Sequence, residues 1–192
     1  MCRSYKGRFI RHSLLNGTHG LACRSNKGRL IRHSLLIDVI YRAMTKAGFP
    51  AKKGLLLSDG KRPDGCSIIS WQGGKCVAWD VTAPDTLACS HLPETSLTTA
   101  AAAESASKNK VAKYSDISRT HLFVPIAVES LGPINKAGVD FICTMGKHLT
   151  NKSGDPRETS FLFQRISIIN QRMNAAAIAG CFPVAEVDPT GS

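Results

Sequence analysis

Apolar positions along the chain fall into a short series of distinct periods. Leu36, Ile37, Ile40, Tyr41 and Met44 lie on one face of a 3.6-residue repeat, and Gly48 followed by Pro50 supplies the stop, so a helix is expected to end near 47. Leu55-Leu-Leu57 reads as a short strand. Cys66–Trp71 and Lys75–Thr82 flank Gln72-Gly73-Gly74, a pattern for a β-hairpin whose glycines provide the positive φ angles of a tight turn. A connector rich in Pro, Ser and Thr (84–98) leads into an alanine-rich stretch, 99–114, of high helix propensity. Leu122–Ser130 has the composition of a strand, and Pro125 inside it argues for an edge or a bulge, because proline cannot donate to a ladder. Leu131-Gly-Pro133 turns the chain toward a helix at about 135–149. In Asp155-Pro156-Arg157-Glu158 an N-cap acid, a proline at the first helical position and a glutamate at the third resemble a capping box. The helix that follows carries Leu162, Ile166, Ile169, Met173 and Ala176 on one stripe, ended by Gly180 and Pro183. That stripe reads as core, with a partner-binding face as the competing use. The order helix, strands, helix, strand, two helices predicts a single α/β domain with a small mixed sheet and flanking helices.

Composition agrees with one folded unit. The 192 residues are 43% hydrophobic and 20% charged, enough apolar content for a core and too little length for a multidomain machine. The net charge of +11 is unevenly placed: residues 1–60 carry twelve Lys/Arg against two acids, and the rest of the chain thirteen against twelve. A basic arm on a nearly neutral body suits a polyanionic partner held through counterion release, and a solvated tail would look the same. The arm contains a duplication, in which Cys2-Arg-Ser-Tyr-Lys-Gly-Arg-Phe-Ile-Arg-His-Ser-Leu-Leu15 returns, 21 residues on, at 23–36. Two copies are too few for a solenoid, and only the second continues into the helical pattern. Seven scattered cysteines without a CxxC pair do not form a disulfide framework. Neither a signal-peptide core nor a run of about 18 apolar residues is evident. The expectation is a soluble nuclear or cytoplasmic protein with no membrane partner.

The sharpest chemical signal is Lys61-Arg62-Pro63-Asp64 with Trp79-Asp80-Val81-Thr82, in which 15 residues separate the two aspartates. On a hairpin, one carboxylate begins the first strand and the other sits near the end of the second, so the two can converge. Mg²⁺ takes oxygen ligands in octahedral geometry, commonly one or two carboxylates with waters and substrate phosphate, and a metal so held can polarise a phosphodiester. The competing reading is local: Pro-Asp opens turns, and an aspartate at a strand end often caps a loop.

Arg62-Pro-Asp64 with Trp79-Asp80-Val81-Thr82 resembles the Pro-Asp…Asp signature of PD-(D/E)XK nucleases, in the variant found in the C-terminal restriction-enzyme-like endonuclease of site-specific non-LTR retrotransposon polyproteins. Further likeness lies in Arg32-His33-Ser34, in Lys110-Val-Ala-Lys113-Tyr114, in Val124–Gly132 and in Gly154–Ser167, the last similar to the end of reverse-transcriptase-like retroelement proteins. The likeness spans roughly 19–183. It implies a basic N-terminal arm (1–33), an endonuclease-like domain (34–183) with a PD-(D/E)XK core, and a disordered tail (184–192). It implies further that Asp64 and Asp80 hold Mg²⁺ or Mn²⁺, that a lysine assists, and that Arg29, Arg32, His33 and Arg62 face nucleic acid, DNA first and RNA alongside. Thr82 occupies the usual lysine position and cannot supply a cation, so the resemblance places the lysine on the following helix, at Lys110 or Lys113. Asp85 and Glu104 are additional acids, read otherwise as exposed carboxylates. Trp71 and Trp79 are candidates for base stacking, with core packing the plainer role. Family members often carry a zinc knuckle upstream. His19 and Cys23 match only its second half, which argues against zinc. The implied function is a truncated retroelement endonuclease that cuts DNA phosphodiesters; the alternative is a non-catalytic remnant that binds nucleic acid without cutting.

Overall fold

A computed structural model describes Leu21 and residues 27–57 and 60–179, with side chains in the first helix from Leu30 onward. The terminal tail, the first copy of the repeat, His19, Cys23 and the Arg29 side chain lie outside the described residues. Helix α1 (Lys27–Lys46) is followed by strands β1 (Ala51–Lys53), β2 (Gly65–Ser67) and β3 (Cys76–Thr82). A one-turn helix α2 (Leu92–Thr95), helix α3 (Ala101–Lys113) and a 3₁₀ turn (Ser115–Arg119) lead to β4 (His121–Ala127). The chain then closes with α4 (Lys136–Ser153) and α5 (Glu158–Ala179).

The strands form one mixed sheet in the order β1-β2-β3-β4. β1 pairs antiparallel with β2, and β2 with β3, through Gly65↔Trp79 and Cys66↔Ala78. The expected hairpin is present: Gln72 and Lys75 bridge at its tip, and Gly73 and Gly74 take φ values of 57° and 76° between them. β4 runs parallel to β3, which requires a crossover, and α2 and α3 provide it. β4 is an edge strand, as Pro125 demanded. Its remaining backbone groups near that proline are served by buried Asn135, whose Oδ1 accepts from Ala127 N–H at 2.8 Å and whose amide donates to the Pro125 carbonyl at 3.1 Å.

Side chains alternate across β3 and so assign the two faces. Val77, Trp79 and Val81 join Leu36, Ile40 and Met44 of α1, Phe141, Ile142 and Met145 of α4, and Leu162 and Ile166 of α5 in the main core. On the opposite face, Ala78 and Cys66 pack against Tyr114 and Ile117 at the end of α3. Trp79, 0% exposed, is therefore core and not a base-stacking surface, and Trp71 packs edge-on against Phe49 with ring centroids 4.5 Å apart. α1 ends as its sequence predicts: Gly48, at φ 96°, donates to the Thr45 carbonyl and Phe49 donates to Met44, the paired bonds of a Schellman cap.

Three expectations are corrected. The short strand at Leu55–Leu57 lies instead at Ala51–Lys53, while 54–57 run alongside 61–64 as an irregular ribbon, with Gly54 N–H on the Asp64 carbonyl at 2.7 Å and Leu55 N–H on Pro63 at 3.2 Å. The α5 stripe turns after Ile166 to Asn170, Asn174 and Ala177, leaving Ile169 and Met173 half-buried and Ala176 exposed. The cause is polar: Asn170 and Asn174 donate to the Glu129 and Ser130 carbonyls, which hydrophobic periodicity does not register. The capping box is one-sided. Asp155 accepts from Arg157 N–H at 2.9 Å, but Glu158 reaches Lys46 of α1, 2.6 Å away, and not the cap. α1 spans residues 33 and 34 without a break.

Gly65 has no side chain because the Trp79 indole lies across it; an added Cβ would collide with Trp79 Cζ2. Gly65→Ala is expected to lower stability by about 1–3 kcal/mol, read as a lower urea midpoint at unchanged slope, since overpacking a filled core costs that much.

Candidate active site

The hairpin opens on its Asp64 side. Continuing the register from Gly65↔Trp79 sets residue 64 opposite 80 and residue 63 opposite 81. Pro63 has no N–H to give, and its carbonyl is taken by Leu55. Val81 N–H therefore finds the Asp64 carboxylate, Oδ2, at 2.7 Å. Strand-end aspartate and strand β3 are thus joined by side chain where the backbone ladder has given out.

Asp80 points to the α3 face and is 3% exposed. Lys110 Nζ lies 2.7 Å from its Oδ2 and 3.2 Å from its Oδ1. A lysine of the crossover helix therefore meets the buried aspartate of β3. Lys113, one turn on, is exposed and lies 4.7 Å above the Tyr114 ring, without a described contact to either aspartate. The structure separates the two candidates.

His33 completes the cluster from α1. Its Nε2 lies 3.0 Å from the Val81 carbonyl and 3.4 Å from Asp64 Oδ2. A carbonyl only accepts, so Nε2 carries the hydrogen. The Asp64 contact raises the His33 pKa above 6.5; burial opposes this, and the Asp64 and Asp80 charges and the Val81 carbonyl reinforce it.

The other expected residues divide. Arg62 is exposed, and its carbonyl receives the Tyr114 hydroxyl at 3.1 Å. Arg32 was expected to face nucleic acid and does not: it is 2% exposed, with Nη1 on Asn174 Oδ1 at 2.6 Å and Nη2 on the Ala83 carbonyl at 3.4 Å, a clamp between α1, β3 and α5. Asp85 is also buried, accepting from the Ser130 hydroxyl at 2.8 Å, and is not an exposed acid. Glu104 is half-buried and accepts from Lys136 N–H at the start of α4.

Sequence reasoning missed the Val81 carbonyl, which no side-chain motif can reveal, and the contact of His33 with Asp64. Together Asp64, Asp80 and Val81 present only oxygen donors, the chemistry of a hard cation such as Mg²⁺ or Mn²⁺. Among the described residues no group of three or more His, Cys, Asp or Glu gathers as a metal cluster. Two carboxylates are the number Mg²⁺ commonly uses where waters and substrate phosphate complete its shell. In donor type and number the two carboxylates suit such an ion. No helix among the described residues is long and apolar enough to cross a membrane. No family model matches the chain, and no curated protein does.

The His33 pair has a defined sign. A histidine whose folded pKa is raised contributes stability in full below 6.5 and loses it as pH climbs through the raised value. The His33 Cε1–H resonance is expected to titrate with a midpoint above 6.5, and Asp64→Asn is expected to bring that midpoint down. An unchanged midpoint in the variant would dissociate the two groups.

Proposed function

We propose that this chain is a divalent-metal-dependent DNA endonuclease-like domain of retroelement descent, built on a PD-(D/E)XK core. The observation that carries the reading is the meeting of Lys110 with Asp80, the residue that the strand register sets opposite Asp64. A lysine 30 residues away in sequence arrives on the one buried acid that the motif singles out. The four-stranded mixed sheet with helices on both faces supports the same reading at the level of architecture.

In this reading Asp64, Asp80 and the Val81 carbonyl hold Mg²⁺ or Mn²⁺. Bound there, the ion polarises the phosphodiester and lowers the pKa of a water. The chain's own groups do the rest. Asp64 is fixed by the Val81 N–H and cannot swing away. Lys110 keeps its ammonium beside Asp80, and of the three donors on that nitrogen one is left for the attacking water or for a non-bridging oxygen, where negative charge grows in the transition state. His33 stands between Asp64 and the Val81 carbonyl and holds α1 against the site.

Incubation of supercoiled plasmid with the protein and Mg²⁺ or Mn²⁺ is expected to give nicked and linear products, and EDTA to stop the reaction. Asp80→Asn and Lys110→Met are each expected to cut at least about 10²-fold more slowly, the scale of losing one transition-state contact. Lys113→Met, whose side chain rests on Tyr114, is expected to behave as wild type. Binding without cutting in any metal would favour the non-catalytic remnant, and cutting that survives in Asp80→Asn would remove this site from the chemistry.

A further inference from the structure

Beside Asp64 a cleft of about 320 Å³ opens between α1 and the 54–64 ribbon. Ser34 and Ile37 of α1 form one wall, Lys53 and Gly54 the other, and Arg62 and Asp64 lie along the floor. Its volume is at the small end for a ligand site, enough for one small polar group and not for a base pair.

The two cations in it differ. Lys53 is already engaged, with its Nζ 2.9 Å from Asp38 Oδ1 and 5.2 Å above the Tyr41 ring. Arg62 has no carboxylate partner among the described residues, yet it is held. Gly54, at φ 68°, brings its bare Cα beneath the guanidinium, and a Cβ there would fall 2.5 Å from Arg62 Nε and 2.9 Å from Nη2. The ribbon fixes both partners, since Gly54 N–H bonds to the Asp64 carbonyl and Tyr114 bonds to the Arg62 carbonyl. An exposed guanidinium that lies against the Gly54 backbone and lines the cleft has donors with the spacing for a doubly hydrogen-bonded oxyanion.

We propose that this cleft takes a phosphodiester of the bound nucleic-acid strand adjacent to the one at Asp64, with Arg62 as the positioning residue and Gly54 as the platform that keeps it aimed. An anion on Arg62 does not need to displace the metal-binding carboxylates, because Arg62 is two residues along the ribbon from Asp64. The Ser34 hydroxyl offers a further donor from the opposite wall. The inference rests on the nuclease reading for what lies beside the cleft, but it makes its own prediction about binding.

The test uses the full chain and a fluorescein-labelled DNA duplex in EDTA, where nothing is cut, with anisotropy followed across a salt series. Arg62→Gln is expected to weaken binding about tenfold and to reduce the slope of log K against log salt by about 1, as loss of one phosphate contact does. Gly54→Ala removes no charge. It is expected to weaken binding as well, and the double variant to be no worse than Arg62→Gln alone, because Gly54 acts through Arg62. Thermal melts verify that each variant is folded, and Arg62→Gln, at an exposed site, answers the question by itself if Gly54→Ala is not. A salt slope unchanged in Arg62→Gln, or additive losses in the double variant, would overturn the assignment. With Mg²⁺ present, Arg62→Gln is expected to raise KM several-fold with kcat within about twofold of wild type. A fall in kcat at constant KM would put Arg62 on the reacting phosphate and overturn the adjacent-phosphate placement. A wild-type chain that binds with the predicted Arg62 dependence but never cuts would remove the nuclease reading and leave this one standing.

Discussion

The bond from Val81 N–H to the Asp64 carboxylate is the joint on which the site depends. An antiparallel ladder continued past Gly65↔Trp79 would close the strands together and leave no opening. Pro63 prevents that by lacking a donor, and Leu55 prevents it by taking the Pro63 carbonyl. The strands part, and the donor left over on β3 is satisfied by a carboxylate at 2.7 Å. A buried N–H without a partner costs about 1–3 kcal/mol, so Asp64 has a structural reason to sit at the mouth of the hairpin.

Bringing Lys110 to Asp80 sets a demand on the whole crossover. A carboxylate 3% exposed is costly unless its partner is well placed, and Lys110 is placed by a helix fixed at both ends. At the start of α3, the Ala103 N–H donates to the buried Glu129 carboxylate at 3.0 Å, and a negative charge there also suits the helix dipole. Ala100, the residue before the helix, takes φ 65°, a left-handed conformation that costs an alanine about 1–2 kcal/mol and is held by the packing around it. At the far end, Tyr114 is buried, packs at a tilt against Phe123 with ring centroids 4.9 Å apart, and donates to the Arg62 carbonyl. The helix that carries the lysine is thereby tied directly to the segment that carries Asp64.

Element types were legible because each rested on a strong local rule. The Gly48 stop, the Gly73-Gly74 turn and the edge position required by Pro125 are consequences of backbone sterics and need no tertiary information. Asp64, Asp80 and a lysine on the crossover helix were legible as a motif, although the choice between Lys110 and Lys113 was not, since both lie on the same side of an alanine-rich helix and only the position of β3 decides. What stayed hidden was polar burial. Arg32 reads from sequence as one more cation in a basic segment, and its role as a clamp depends on Asn174, 142 residues away. Asn170 and Asn174 interrupt the apolar stripe of α5 for the same reason: they satisfy carbonyls at the end of β4.

Adjacent residues of α1 point about 100° apart, and the second copy of the repeat uses that angle twice. Arg32 turns toward α5 and the end of β3, where it holds the core layers together; His33 turns toward Val81 and Asp64. The pair Arg-His occurs again as Arg11-His12 in the first copy, at the same 21-residue offset as the rest of the duplication. The partners occur once: one Asn174 amide oxygen, one Ala83 carbonyl, one Val81 carbonyl and one Asp64 carboxylate, all engaged by 32 and 33. Those partners are taken by the second copy, where an arginine that contributes to the net charge of +11 is withdrawn from the surface and used to hold the fold. Net charge counted from sequence therefore overstates the cation left at the surface, and Arg62, beside the cleft, is one of those that stay exposed.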